Sequence, residues 1–399
     1  MTNILLVPVN DLLSHPTETR FISIARKMVE KFDVNLFALR YKNIPTASKV
    51  KRKLNFELLD FQDIRTETIG SYYVANAFPI FCALMRKLKQ EKIDVIIHAN
   101  ILPSSIAVGL GKMLHIPVVF DYQDHFPESA ATYYKGNTLR SLAYSLTYKL
   151  NMFNIKHSDV IVTVTDSHKE MIKKYDPRKP VTVIPNGVDT DLFRPIPKSV
   201  ALRELNLEHL REKKLLLYFG SIDSWLDFST IFKVIKRLEN KGVDVLLLIV
   251  GFSHSRYFLE ELKQTVGNLG IRNRVFFLDP VPQKQLVYYI NASDVTLAPF
   301  RPMLISQAVP LKILESLACG KPVCSTKLPE IVSRFKEVVS MYSTEEELES
   351  ALLECFRGEG PMSSDRMAEL VKDYSWDNFA ANYYELVLKT IMKKAQKMA

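Results

Sequence analysis

One stretch constrains the fold more than any other: Val295 to Thr326, VTLAPFRPMLISQAVPLKILESLACGKPVCST. The apolar run Val295 to Phe300 reads as a strand, followed by a loop with two prolines. A helix then starts at or near Pro310, a residue suited to a first turn because it needs no N–H partner. Gly320 ends that helix, Pro322 follows two residues later, and Val323 to Thr326 reads as the next strand. Strand, loop, helix, strand is a βαβ unit. Its loop lies at the carboxyl end of the sheet, where open α/β sheets bind ligands, and the helix amino-terminus there favours phosphate.

Two side chains add chemistry to this place. Lys312 and Glu315 are three residues apart, hence neighbours on one helix face near the phosphate-attracting end. A carboxylate can accept two hydrogen bonds from a ribose diol while a lysine and backbone amides meet a diphosphate. The pair suits a nucleotide-sugar; the plainer alternative is an ion pair on a solvated helix.

The same alternation runs through the chain. Ile4 to Val9, Val34 to Leu39, Asp94 to Ala99, Pro117 to Tyr122, Asp159 to Val164 and Val181 to Pro185 are short, β-branched-rich runs bounded by charge, Pro or Gly. It restarts with Leu215 to Gly220, Val245 to Gly251 and Val275 to Asp279, before the two strands above. Continuous apolar runs fit strands covered on both faces, so two doubly wound parallel sheets are expected. Between them NGVDTDLFRPIPKS and the charged segment after it have linker composition. The expected division is a first domain 1–190, a linker 191–213, a second domain 214–375 and a last helix 376–399. That helix shows helical spacing at Trp376, Phe379, Tyr383, Leu386 and Leu388.

Charge and cysteines narrow the partners. A net charge of +9 over 399 residues calls for an anionic partner: nucleic acid, a phosphorylated substrate or an anionic membrane surface. Nucleic acid is set aside because no reading motif, basic heptad or zinc-ligand pattern occurs. The cysteines at 82, 319, 324 and 355 show neither metal-ligand nor disulfide-framework spacing, so a reducing cytoplasm is the expected compartment. No clustered acidic ligands occur, so neither a metal site nor a cofactor is expected. The amino-terminus lacks the basic flank of a signal peptide and reads as the first strand. The longest apolar run, Val243 to Phe252, contains Asp244 and is too short to span a bilayer. Two stretches could rest on a membrane surface: the interleaved tyrosines and cations of Tyr133 to Lys149, and KVKRK at Lys49 to Lys53.

The run P-x-K-I-x-E-S-L-A-C-G-K-P-V from Pro310 resembles the donor-binding segment of retaining glycosyltransferases of the GT-B fold, family 4 (group 1). The phrase VIPNGVDTDLF, where the first half hands over to the second, is similar to the same family. The resemblance implies two Rossmann-like domains facing across a cleft, with the last helix crossing back to the first. It implies a nucleotide-diphosphate-sugar donor held by Gly220, Ser221, Arg301, Gln307, Pro310, Leu311, Lys312 and Glu315. In this arrangement Glu315 meets the ribose, and Gln307 stands where many members carry the glutamate that contacts the donor hexose. Leu278 and Val281 fall where members hold the base through main-chain atoms. Many relatives carry an arginine and a Lys-Gly pair after the Gly220-Ser221 turn; here neither is present, which leaves the diphosphate to Lys312 with Arg301 as helper.

In the first half FDYQDHFPESA resembles the D-x-W-P-E-S phrase of relatives that act on lipid-linked acceptors, so Asp124, then His125, are the candidates to orient or deprotonate an acceptor hydroxyl. A turn-capping Asp124 is the structural alternative. Near the amino-terminus Thr17, Thr19 and Arg20 stand where relatives have a glycine pair; helix capping by Thr17 with a solvated Arg20 is the other reading. Taken together, the sequence points to a metal-independent glycosyltransferase transferring sugar with retention of configuration to a glycan or lipid-linked acceptor, peripheral at the inner membrane face. The rivals are a non-catalytic GT-B partner protein and a nucleotide-sugar epimerase.

Overall fold

The computed structural model describes residues 1–15, 19–45, 52–99, 102–131, 134, 136–253, 255–301 and 309–398. The chain divides into two compact units, residues 1–186 with 376–399, and residues 187–375.

In the first unit the described strands are β1 Thr2–Val7, β2 Val34–Leu39, β3 Glu57–Leu59, β4 Val95–His98, β5 Val118–Tyr122, β6 Val160–Thr163 and β7 Val181–Val183. They form a parallel sheet in the order β3-β2-β1-β4-β5-β6-β7. The inner strands β4, β5 and β6 are buried along their whole length, which is why they read as unbroken apolar runs. β3 lies in the segment NFELLDF and gives no such run, because it is a three-residue edge strand with an accessible side.

The last helix, Trp376–Met398, belongs to this unit. It buries Trp376, Phe379, Ala380, Tyr383 and Val387. It lies along the helix Arg20–Lys31, where the rings of Phe32 and Tyr384 stack at 4.4 Å and Asp377 bridges Lys27 at 3.1 Å and Lys31 at 2.7 Å. The expectation of a solvated Arg20 is corrected. Arg20 is 3% exposed, its guanidinium Nε pairs with the Asp121 carboxylate at 3.1 Å, and Nη1 donates to the Pro185 carbonyl at 2.6 Å. Its place opposite a carboxylate at the heart of the sheet, not its position in a polar stretch, decides its burial. Thr17 lies outside the described residues, and the helix instead starts after Thr19 without a side-chain cap.

In the second unit the described strands are β8 Lys214–Ser221, β9 Val245–Phe252, β10 Val275–Leu278, β11 Val295–Ala298, β12 Val323–Thr326 and β13 Val339–Tyr342. They pair in parallel in the order β10-β9-β8-β11-β12-β13. The order reverses between β8 and β11, the switch point at whose carboxyl ends such sheets leave a crevice. β13 is an edge strand that the sequence reading passes over.

Residues 191–213, expected as a linker, pack in the second unit. The helix Lys198–Glu204 buries Ala201 and Leu202 against Leu215, Leu246 and Ala292. Lys198 pairs with Asp294 at 2.8 Å, and Ile196 N–H donates to Asn291 Oδ1 at 2.8 Å. The prolines and charges that suggest an extended linker instead border a short helix with one apolar side. Val188 pairs with Ser375, so the two ends of this unit lie side by side.

Candidate functional site

The candidate donor site lies at the carboxyl ends of β8, β9, β10 and β11. Gly220, next to last in β8, has φ 121°, a conformation that favours glycine, and pairs in register with Gly251 of β9. A methyl group on Gly251 would fall inside the Gly220 carbonyl, and one on Gly220 would stand 3.6 Å from Lys312 Nζ. The two glycines therefore let the backbone turn come close to the lysine.

β11 leads to a second loop that is tied to the first. Asp227 N–H donates to the Pro299 carbonyl at 2.8 Å, Arg301 N–H to the Trp225 carbonyl at 2.8 Å, and Arg301 Nε to the Leu226 carbonyl at 3.2 Å. Leu226 and Phe300 form an antiparallel bridge. Arg301 is exposed, and part of its guanidinium is committed to this loop. Asp227 accepts from Thr230 Oγ1 at 2.6 Å and caps the helix Phe228–Asn240.

The helix Leu311–Ala318 follows, with Pro310 extended at its N-cap position. The expected stop is present: Gly320 has φ 66° and packs its bare Cα against Ser364. Lys312 places its ammonium 4.0 Å from the centre of the Tyr218 ring and 4.9 Å from that of Phe300. Lys312 keeps some accessible surface as a residue, but its charged end is enclosed by these rings. Burial holds its pKa down to about 7, with the Glu315 and Asp223 carboxylates pulling the other way. Glu315 is 9% exposed and Asp223 4%. The arrangement presents a cation, two buried carboxylates and a glycine-lined backbone turn within one crevice.

Leu278, at the end of β10, and Val281 pack against the apolar cluster that contains Ile313 and Leu314, so the four lie on one side of the sheet. Gln307 lies outside the described residues. Tyr218, Asp223 and Phe300 are missed by the sequence reading. Tyr218 and Phe300 look like ordinary strand residues, and only the pairing of β8 with β11 brings them to Lys312.

In the first unit β5 ends at Tyr122, and Asp124 and His125 occupy the turn into the helix Phe126–Ala131. Asp124 is partly accessible, while His125 is 3% exposed with Nδ1 2.9 Å from the Tyr122 hydroxyl. Burial lowers the His125 pKa, so the ring is neutral at neutral pH. His168 stands edge-on to Tyr122 with ring centres 5.5 Å apart, its pKa held down to about 4 by burial and then by His125. Asp124 and His125 are thus neighbours, but only Asp124 retains accessible surface.

Residues 17–192 match the sequence model of Glycosyltransferase Family 4, and residues 206–354 match that of Glycosyl transferases group 1. With one half matched by each, and with two parallel-sheet units of this topology, the chain belongs to the GT-B glycosyltransferases of family 4, group 1. Among curated relatives, the alpha-monoglucosyldiacylglycerol synthase of Streptococcus pneumoniae is 22% identical over 84% of this chain and 75% of its own. The D-inositol 3-phosphate glycosyltransferase of Thermobispora bispora is 30% identical over 45% of this chain and 42% of its own length. Among solved structures, sucrose-phosphate synthase of Thermosynechococcus elongatus superposes with a TM-score of 0.79 at 14% identity, covering 98% of this chain and 100% of that one. Anabaena HepE in complex with UDP and glucose superposes at 0.71, again at 14% identity, covering 98% and 100%.

Proposed function

We propose that this glycosyltransferase moves a sugar from a nucleoside-diphosphate donor to an acceptor hydroxyl on a lipid or glycan precursor, with retention of configuration and without a metal ion or other cofactor. The observation that carries the donor assignment is the enclosed Lys312 ammonium beside Gly220, with Glu315 buried on the same helix. Lys312, the Gly220-Ser221 turn and the N–H groups of the helix start that follows Pro310, Leu311 first, meet the diphosphate, and Arg301 stands at the same crevice as a second cation. Glu315 accepts the ribose hydroxyls. Leu278 and Val281 offer main-chain groups and an apolar wall to the base, and Gln307 is assigned to the hexose by the family pattern alone.

Bond breaking at the anomeric carbon leaves a diphosphate carrying an extra negative charge. A cation and amides fixed before the reaction stabilise that charge with no rearrangement. Asp124 is assigned to orient the acceptor hydroxyl, with His125 behind it on Tyr122. The HepE complex with UDP and glucose and the diacylglycerol acceptor product in the name of the pneumococcal relative support the donor and acceptor classes by analogy.

The test is transfer by purified full-length protein from a panel of uridine, guanosine and adenosine diphosphate sugars to diacylglycerol and to a monoglycosylated lipid. Product anomers are read by nuclear magnetic resonance in the presence and absence of a chelator. One donor giving a product of unchanged anomeric configuration, insensitive to chelator, supports the reading. An inverted product, or activity abolished by chelator and restored by a divalent ion, contradicts that part of it.

A further inference from the structure

The helix Asn137–His157 turns Asn151, Asn154 and Ile155 to the interior. At 3.6 residues per turn the opposite side carries Leu139, Leu142, Leu146 and Phe153, which are 55%, 53%, 53% and 37% exposed. A helix on a globular domain ordinarily turns its apolar stripe to the core and its polar side to water. Here three leucines form an outward apolar stripe, with Phe153 two turns further along the same side. No Asp or Glu occurs in the 21 residues of this helix, and the exposed Lys149 and Lys156 border the stripe.

The neighbouring surface has the same character. Tyr134, just before this helix, packs so tightly on Gly70 that a methyl group there would overlap its hydroxyl. That contact ties the residue before the stripe to the helix Ile69–Ala75; this helix and Ala77–Gln90, which follows it, leave Val74 and Phe78 70% and 75% exposed and contain no acid. Among the described residues, the large apolar side chains exposed to this degree on the second unit are Tyr257, Phe276 and Val332, scattered along its sequence. Three leucines exposed on one side of a single helix, with Phe153 beyond them, mark an interaction surface.

We propose that this face docks on an anionic lipid surface, with Leu139, Leu142, Leu146 and Phe153 entering the headgroup boundary and Lys149 and Lys156 meeting lipid phosphates. Charge decides against a second copy of the chain as the occupant. An isologous contact would set these lysines against their own equivalents with no carboxylate on either helix to answer them. An acid-free helix with an outward apolar stripe matches a negatively charged, fluid partner. The proposal concerns a surface of the first unit and does not depend on the donor assignment, which rests on residues of the second.

The test is co-sedimentation of the full-length protein with vesicles of phosphatidylcholine alone and of phosphatidylcholine with an equal part of phosphatidylglycerol. Light scattering on the same preparations gives the oligomeric state, and thermal melting confirms the fold of each variant. The expected result is binding to the anionic vesicles only, weakened by salt. The double variant Leu142→Ser with Leu146→Ser should lower it at least roughly tenfold by removing the inserted groups. Lys149→Ala and Lys156→Ala should each lower it by roughly fivefold. No binding of the wild type to either vesicle, or unchanged binding by the leucine variant, overturns the proposal. Dimerisation that the leucine variant abolishes, without vesicle binding, assigns the face to a second copy and overturns it too. Nucleotide binding, read separately, bears on the donor site alone.

Discussion

The Lys312 ammonium stands over the faces of both Tyr218 and Phe300, 4.0 and 4.9 Å from their ring centres, beside the bare Cα of Gly220. Enclosure weakens its hold on the proton, to a pKa of about 7. A bound diphosphate would restore that hold by supplying negative charge. Nucleotide affinity should therefore be level below pH 7 and fall as pH rises above it, approaching tenfold per unit until the pKa of the bound state is reached. Titration calorimetry across this range, in buffers of different ionisation enthalpy, checks the proton uptake. Lys312→Met should bind more weakly and without this pH dependence.

Gly251 is required by its neighbour. Because a Cβ there would overlap the Gly220 carbonyl, Gly251→Ala must push β8 and β9 apart at the crevice. A loss of ~1–3 kcal/mol of stability is expected, together with weakened nucleotide binding. Denaturant unfolding and calorimetry on one preparation read both. Gly270→Ala replaces a glycine whose φ is positive but whose surroundings are open, and should leave nucleotide affinity unchanged.

Arg20 and Asp121 form a buried pair, 3% and 0% exposed. Asp121 is pushed upward by burial and held back by the arginine, so removing Arg20 leaves a carboxylate without its counter-charge. Arg20→Met should cost about 3–5 kcal/mol, much of it regained when Asp121→Leu is added. Denaturation of the two single variants and the double variant measures the coupling.

His98 and His168 are buried and neutral, with pKa values lowered by burial to about 3 and about 4. The unfolded chain takes up protons at these groups near pH 6.5, so it binds more protons than the folded chain below that point. Stability should accordingly fall as pH drops from about 6.5 towards 4. His168→Phe, which keeps a ring beside Tyr122, should flatten part of that slope in melting temperature against pH.

The alternation of strands was readable because inner parallel strands must be apolar on both faces; β2 and β12 have the bounds that the sequence suggests. β3 and β13 were not, since an edge strand of three or four residues needs no apolar run. Lys312 and Glu315 stood out by helical spacing. Tyr218, Asp223 and Phe300 did not, because their nearness to Lys312 follows from the β8–β11 pairing between residues far apart in the chain. The burial of Arg20 is hidden for the same reason: Asp121, its partner, lies 101 residues away. Composition around 191–213 recorded prolines and charges but not the single apolar side that fixes Lys198–Glu204 to the second unit.

The most direct measurement is calorimetric binding of uridine, guanosine and adenosine diphosphate sugars to the wild type, Lys312→Met and Glu315→Gln. Saturable binding of one donor, weakened by at least roughly tenfold in each variant, is the result predicted for a cation on the diphosphate and a carboxylate on the ribose. Unaltered affinity in both folded variants, or no binding of any donor by the wild type, would contradict the assignment of this crevice.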